Sequence, residues 1–469
     1  MFDDLIKECK KRFLVTKPVE EFVKEVDVQK YKLKRALNAM DLTCVGIGAI
    51  IGAGIFVLTG VASAKFAGPA IVLSFVIAGL VCAIAALCYA EFSSLIPISG
   101  SAYTYSYATM GELFAWMIGW DLILEYAVGA VAVSVGWSGY FVSILGSAGI
   151  LFPSALSGGF INLPAVFIVL ALTALLVIGV KESVRVNLAI VIIKIAIIVF
   201  VISYGLMLIK PANYEPFMPY GFGGVMTGAA IVFFAYIGFD AVSTTAEEAK
   251  EPKKDLPIGI FASLIICTIL YICMARVLTG MVPFLKLNVP DPAALAFQLH
   301  GIYWAQGIVA AGALAGITSV LLVSLIAQPR IFFALSRDRL LPGLFSNVHP
   351  RYATPYKSTI ITGVIVAFFA AFTPIDVAAE LVNIGTLFAF VLVCGGIIFL
   401  RKNRPDLKAK FRVPFVPVLP IMGVAFCIGL MLSLPLITWL RFIIWLGIGL
   451  LIYANYGYYR SKVVKNVTE

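Results

Sequence analysis

Long runs of apolar residues, separated by short polar segments, dominate the chain. A helix needs about 20 apolar residues to cross a bilayer core. Windows of that size predict twelve transmembrane spans, numbered 1 to 12 below, at residues 42–64, 70–96, 113–145, 164–180, 184–208, 223–246, 257–282, 303–328, 358–373, 379–400, 416–434 and 438–457. The pattern therefore predicts an all-α integral membrane protein.

The overall composition agrees with this prediction. Of the 469 residues, 61% are apolar and 13% are charged, whereas soluble domains are about 45–50% apolar and about 25% charged. A soluble fold of this length has no means of covering so much apolar surface. The composition excludes a cytosolic enzyme, a nucleic-acid-binding domain, a secreted disulfide scaffold and a disordered chain.

The positions of the basic residues predict the orientation. With the N-terminus placed in the cytoplasm, cytoplasmic segments hold 29 of the 35 Lys and Arg residues, and Lys194 lies inside span 5. Because basic residues concentrate on the cytoplasmic side, we expect both termini in the cytoplasm of a multi-pass plasma-membrane protein. This distribution accounts for the net charge of +10 without nucleic acid. Residues 1–40 are expected to form a cytoplasmic leader, since they have no signal-peptide core.

Two spans contain sequence that disfavours a continuous helix. Span 1 has four glycines between Gly46 and Gly54, each of which costs about 1 kcal/mol relative to alanine. Span 6 combines Gly238 with the carboxylate of Asp240. Matched interruptions in two halves of a chain indicate a transporter site, because unwound backbone in a bilayer has to line a cavity or bind a ligand. The alternative interpretation is that the glycines only let helices pack closely.

The interruptions also suggest a ligand. They open two blocks of five spans, at residues 41–208 and 223–400, which are followed by spans 11 and 12 and a cytoplasmic tail at 401–469. The N-terminus of a half-helix favours an anion, and the carbonyl end of the broken span 6 favours a cation. A ligand with adjacent carboxylate and ammonium groups, such as an amino acid, satisfies both.

Lys194 is the most informative charged residue. It lies nine residues from Arg185, or roughly 13 Å along a helix. A charge at such depth is expensive and usually functional, and loss of water disfavours its charged form. We therefore predict that Lys194 carries a coupled proton. The alternative is a permanently paired structural lysine.

Several carboxylates accompany these features. Asp240 has two open roles, which are to bind a cationic side chain or to hold the unwound segment by hydrogen bonding. Asp121 and Glu125 are four residues apart in span 3, so they share a helix face, and the deeper Glu125 is expected to line a cavity. Glu91 and Glu112 lie near span ends and are expected to be solvated.

Four motifs resemble those of the amino acid–polyamine–organocation (APC) transporter superfamily and, within it, of the cationic amino acid transporter (CAT) family. They occupy residues 46–56, 119–126, 239–257 and 328–338. The resemblance implies a LeuT-like core of ten spans in two inverted five-span repeats, with interrupted helices 1 and 6, plus two C-terminal helices. It also implies alternating access between a bundle of spans 1, 2, 6 and 7 and a scaffold.

The resemblance and the residues together predict the substrate site. The predicted substrate-binding residues are Ile50, Gly52, Ala53, Gly54, Glu125, Phe234, Ala235, Ile237, Asp240 and Ser324. The resemblance implies that the amides of residues 52–54 bind the substrate carboxylate, and that the carbonyls of residues 50, 234 and 237 bind its amino group. Phe234 is similar in position to an aromatic gate, and Ser324 leaves room for a longer side chain. Lys194 is similar in position to a lysine of proton-coupled members.

We predict a proton-coupled importer of L-amino acids, either cationic ones such as arginine and lysine, small neutral ones such as alanine, or both. An amino acid exchanger without net proton movement is the alternative. An intramembrane enzyme would need a metal-binding carboxylate cluster or a nucleophile–base pair, and a channel would need a repeated pore motif. The expected partners are an amino acid, a proton and membrane lipid, with no cofactor, metal or nucleic acid. A small membrane partner is left open.

Overall fold

The computed structural model describes residues 36–96, 101–178, 184–347, 354–404 and 409–461, together with residues 16 and 349. The predicted N-terminal leader lies almost entirely outside the described residues. The end of the predicted C-terminal tail, from residue 462, also lies outside them.

Regular structure in the described part of the chain is helical. It contains fourteen helices of seven or more residues, which are α1 (Ala39–Ile50), α2 (Ile71–Leu95), α3 (Ser101–Thr109), α4 (Glu112–Ser147), α5 (Leu163–Ile178), α6 (Val184–Gly205), α7 (Gly221–Val232), α8 (Pro252–Met281), α9 (Pro292–Gln298), α10 (Tyr303–Arg337), α11 (Tyr356–Phe372), α12 (Ile375–Asn403), α13 (Val418–Leu432) and α14 (Leu436–Ile452). The prediction of an all-α protein is confirmed.

Eight helical stretches among the described residues are long and apolar enough to cross a membrane. They are Gly54–Leu95, Glu112–Ser147, Leu188–Leu208, Gly221–Thr244, Pro252–Met281, Tyr303–Arg337, Ile375–Asn403 and Leu436–Arg460. Of the four shorter apolar helices, α5, α11 and α13 overlap predicted spans 4, 9 and 11, and α1 overlaps the first part of span 1. The sequence pattern did not predict α3, because its nine residues are too few and too polar for a span.

The start of α1 is fixed by a reciprocal cap. The Asn38 side chain accepts hydrogen bonds from the amides of Met40 at 2.9 Å and Asp41 at 3.0 Å. The Asp41 carboxylate accepts one from the Asn38 amide at 3.0 Å. This capping box satisfies helix donors that have no partner within the helix. Next to it, backbone hydrogen bonds join residues 36–37 to residues 248 and 250.

The long helices pack in two groups. One group contains α1, α2, α7 and α8, in which α8 packs against α1 and α2, and α7 packs against α2. The other contains α4, α5, α10 and α11, in which α4 packs against the other three and α5 packs against α11. Helix α6 contacts α1 and α8 of the first group and α10 of the second. Helix α12 packs against α4, α13 and α14.

The expectation that Glu91 is solvated is wrong. Glu91 is only 2% exposed. Its carboxylate accepts hydrogen bonds from Arg401 Nε at 3.0 Å and Nη2 at 2.7 Å, and from the Val413 amide at 2.7 Å. Such a bidentate, charge-assisted pair compensates a carboxylate for the loss of water.

The same expectation is wrong for Glu112. Its side chain is buried and accepts hydrogen bonds from the hydroxyls of Tyr107 at 2.7 Å, Tyr453 at 3.0 Å and Ser461. This carboxylate ties the start of α4 to the segment that follows α14. Both errors arise because one or more partners of each carboxylate are far away in sequence, by 310 residues for Arg401 and 341 for Tyr453.

Candidate functional site

The helix predicted at span 1 is interrupted, as the glycine pattern indicated. Helix α1 ends at Ile50, and the last backbone bond back into it runs from the Ile51 amide to the Ile47 carbonyl at 2.9 Å. Residues 51 and 52 form bends, and a π-helical turn starts at Gly54. The amides at the start of a helix have no acceptor one turn earlier. The first break, residues 51–53, therefore presents main-chain donors.

The helix predicted at span 6 is interrupted as well. After α7, a 3-10 turn covers Phe233–Tyr236, and residues 237–240 form turns before helix resumes at Ala241. Gly238 has φ of +118°, a conformation that glycine adopts readily. Asp240 Oδ1 accepts a hydrogen bond from the Gly238 amide at 3.3 Å. The second break, residues 237–240, is thus stabilised by its own carboxylate, which is one of the two roles that the sequence left open for Asp240.

The two breaks are packed directly against each other. A Cβ added to Gly54 would lie 2.4 Å from Ala235 Cα, and one added to Gly238 would lie 2.9 Å from the Ala49 carbonyl. Gly54, directly after the first break, and Gly238, within the second, therefore allow the two segments to approach closely. The Tyr271 hydroxyl lies 3.0 Å from the carbonyl oxygens of both Ile50 and Ala235. One side chain of α8 thus connects the ends of both interrupted helices.

A cavity of about 60 Å³ lies between the breaks and helices α4, α10 and α12. Nine of the ten predicted substrate-binding residues line it, namely Ile50, Gly52, Ala53, Gly54, Glu125, Phe234, Ile237, Asp240 and Ser324. Ala235 stands behind this wall, where its backbone packs against Gly54. Further lining residues, which the predicted substrate site did not include, are Ala49, Tyr126, Gly129, Val133, Gly238, Ala241, Val320, Val323 and Val382.

The cavity wall carries two carboxylates, those of Glu125 and Asp240, among mostly apolar side chains. Glu125 and Asp240 are 4% and 3% exposed, and among the described residues the lining includes no lysine or arginine. Asp121 does not line the cavity. It lies against Gly385 of α12, and neither of its carboxylate oxygens has a hydrogen-bond partner in the described part of the chain.

Lys194 lies beside the first break but outside the cavity wall. It is fully buried, and its Nζ donates a hydrogen bond to the carbonyl oxygen of Gly48 at 2.6 Å. Its aliphatic stem passes Gly316 of α10, where an added Cβ would lie 3.1 Å from Lys194 Cγ. The side chain therefore connects α6 with α1 and α10.

A second cavity of about 340 Å³ lies beyond the first one. Gly136 lines it, and a Cβ on Gly136 would lie 3.1 Å from Cβ of Ala53, which lines the first cavity. This contact forms part of the wall between the two. At the second cavity Lys65 Nζ lies 2.6 Å from Asp376 Oδ2, and the two side chains are 37% and 24% exposed.

The comparisons of this chain with known proteins agree with one another. The family described as amino acid permease matches residues 37–453. The chain is 52% identical to the methylthioribose transporter of Bacillus subtilis (strain 168), over 92% of this chain and 95% of that protein. It is 50% identical to the branched-chain amino acid permease BcaP of the same organism, over 95% and 98%. It is 40% identical to the vacuolar cationic amino acid transporter 4 of Arabidopsis thaliana, over 80% and 65%.

Proposed function

Because this chain belongs to the amino acid permease family, we propose that it imports L-amino acids across the plasma membrane by proton-coupled alternating access. Family membership makes the chain a multi-pass membrane transporter rather than an enzyme. The transported class, the coupling ion and the direction are our proposal.

The observation that carries the proposal is the pair of interlocked breaks that line one cavity. The amides of residues 52–54 start a helical segment and offer donors to the substrate carboxylate. The carbonyls of residues 50, 234 and 237 offer acceptors to its ammonium group. The Ile50 carbonyl already accepts from Tyr271, and a carbonyl oxygen has a second lone pair for the ligand. An amino acid zwitterion fits this arrangement because its ammonium and carboxylate groups are bonded to the same carbon atom.

The packing of the helices supports the proposed motion. We propose that α1, α2, α7 and α8 rock as a bundle against α4, α5, α10 and α11, since these are the two groups that pack internally. The proposed topology has twelve crossings, with inverted repeats at 41–208 and 223–400, two further helices at 401–469 and both termini in the cytoplasm. In the inward-closed protein Phe234, which is 8% exposed on the cavity wall, closes over the substrate.

Lys194 is the proposed proton carrier. Its hydrogen bond ends on Gly48, two residues before α1 ends. Loss of a proton from Lys194 would leave a lone pair in place of one of the three N–H donors, which changes how firmly α6 holds the first break. Coupling requires that the proton bind the two access states with different affinity. A contact between the carrier and one end of the substrate site provides such a difference.

The wall of the cavity bears on the substrate class. Glu125 and Asp240 suit a cationic side chain, whereas Val133, Val320 and Val382 suit an aliphatic one. The names of the relatives include branched-chain and cationic amino acid transporters and a methylthioribose transporter. We propose that this chain accepts L-amino acids, cationic or small neutral, because methylthioribose has neither the carboxylate nor the ammonium group that the breaks would bind.

Uptake by proteoliposomes tests this proposal. Purified protein is reconstituted, and labelled alanine, arginine, leucine or methylthioribose is added with and without an inward proton gradient. A proton-coupled importer accumulates an amino acid only with the gradient. Uptake that needs unlabelled amino acid inside, and not the gradient, would show an exchanger. Methylthioribose uptake without any amino acid uptake would overturn the proposed substrate class.

A further inference from the structure

Gly129 combines burial with empty space. It is buried within α4 and lines the first cavity. A Cβ added to Gly129 would nevertheless meet no heavy atom within 4 Å, apart from its chain neighbours and the backbone of its own helix. The Cβ direction of this residue therefore points into unfilled interior volume.

Three other glycines of α4 show the usual reason for a glycine in a membrane helix, which is close packing. An added Cβ would lie 2.7 Å from Leu335 at Gly119, 3.1 Å from Ala53 at Gly136 and 2.2 Å from Pro290 at Gly139. Gly129 has no such neighbour. The remaining described glycines whose added Cβ meets nothing within 4 Å are exposed or half-buried. Among the described glycines, Gly129 is thus the buried one whose presence close packing does not explain.

The surroundings of Gly129 indicate what occupies the space. Along α4 it lies one turn after Glu125 and one turn before Val133, and all three residues line the cavity. The wall also includes Val320, Val323 and Val382 of α10 and α12. The main-chain groups of the breaks are on other segments of the same wall. A substrate held by those groups directs its side chain toward α4, α10 and α12.

We propose that Gly129 sets the upper size of the substrate side chain, by providing the space for an aliphatic or thioether chain longer than the methyl group of alanine. This inference rests on the proposed function. A glycine in the middle of a helix weakens it relative to alanine, so its use here has a stability cost that the added substrate volume explains. A methyl group placed at residue 129 removes part of that volume.

The test is a size series measured on Gly129→Ala in proteoliposomes. The kcat/KM for uptake is measured for alanine, valine, leucine and methionine. We expect the ratio of the leucine value to the alanine value to fall about 10-fold or more, since one methylene in an apolar pocket is worth about 10–200-fold in discrimination. Gly146→Ala is the matched control, because Gly146 lies in the same helix, is exposed and also has no atom within 4 Å of an added Cβ. Its ratio should stay at the wild-type value.

Three outcomes would overturn the inference. One is an unchanged ratio of the leucine kcat/KM to the alanine kcat/KM in Gly129→Ala. The second is an equal loss of kcat/KM for alanine and leucine, because such a loss does not depend on side-chain size. The third is a wild-type protein that takes up alanine but none of the amino acids with longer side chains. Absence of uptake for every amino acid by the wild type would instead refute the proposed function, and this inference with it. A thermal-unfolding scan of each variant distinguishes lost folding from lost uptake.

Discussion

The ammonium group of Lys194 donates a 2.6 Å hydrogen bond to the carbonyl oxygen of Gly48. This bond joins the one buried lysine of the described spans to the last turn of α1, directly before the first break. A buried cation normally has a carboxylate partner, but here the bonded acceptor is a backbone carbonyl. The arrangement stabilises the charged form less than an ion pair would, which suits a group that gains and loses a proton.

Lys194→Ala should abolish the accumulation of amino acid against its own concentration gradient, while exchange of amino acid across the membrane continues. Without the ammonium group the substrate still meets both breaks, but proton binding no longer biases the two access states. Labelled amino acid in proteoliposomes should then equilibrate and not accumulate when a pH gradient is imposed. Lys210→Ala, at an exposed lysine after the same helix, serves as the control. Undiminished proton-driven accumulation in Lys194→Ala would show that Lys194 is structural.

Asp240→Asn should weaken the binding of cationic substrates more than the binding of neutral ones. The amide oxygen of asparagine can still accept the bond from the Gly238 amide, so the second break is expected to persist. Loss of the charge removes a charge-assisted interaction worth about 1.5–3 kcal/mol, or about 10-fold or more in the Kd of arginine. Competition binding of arginine and alanine measures this difference, with Glu251→Gln, at an exposed site, as the control. Equal losses for both amino acids would assign Asp240 to holding the break alone.

Tyr271→Phe should reduce substrate affinity without unfolding the protein. The substitution removes the hydroxyl that bonds the carbonyls of Ile50 and Ala235, while the ring keeps its packing. The hydroxyl has one proton, which the two carbonyl oxygens share, and loss of that donor costs about 1–3 kcal/mol. The substitution also removes the one side-chain link between the two broken helices that Tyr271 provides. The Kd for the substrate should rise more than in the control Tyr303→Phe, since residue Tyr303 is 67% exposed. An unchanged Kd would mean that this link does not organise the site.

The Glu91–Arg401 and Lys65–Asp376 ion pairs should differ in their contribution to stability. Glu91→Gln breaks a buried pair and should lower the free energy of unfolding by about 3–5 kcal/mol, because Arg401 loses its charged partner. Asp376→Asn breaks the half-exposed pair with Lys65 at a similar distance of 2.6 Å. Such pairs contribute about 0–1 kcal/mol. Thermal unfolding in detergent compares them, and equal shifts in Tm would contradict the assignment.

The sequence predicts the interruptions because they have a local cause. Clustered glycines and a midspan carboxylate disfavour helix wherever the rest of the chain lies, so the sequence places the two interruptions within residues 46–56 and 234–240, where the structure has them. The apolar walls of the cavity, such as Val133, Val320 and Val382, carry no comparable signal. A valine in an apolar span is equally typical of a lipid contact, a helix contact or a binding site, and only the packing distinguishes them.

Other features depend on contacts between distant segments. Glu91 and Glu112 near span ends were interpreted as solvated, since sequence position does not reveal Arg401 or the Tyr453 hydroxyl folding back onto them. Tyr271 offered a usable signal, because a hydroxyl in the middle of an apolar span needs a partner. The empty space at Gly129 offered none, since its sequence context resembles that of glycines that pack closely.

The central claim is that the two breaks bind both charges of an amino acid, and ligand analogues test it most directly. The measurement is thermal stabilisation of the purified protein by the L-amino acid that it takes up best, compared with the amide of that amino acid and with the same acid lacking its amino group. At about 100-fold over Kd, a ligand that binds only the folded state stabilises it by about 2.7 kcal/mol. We predict that only the zwitterion raises Tm. Equal stabilisation by either analogue, or by none of the three ligands, would contradict the account.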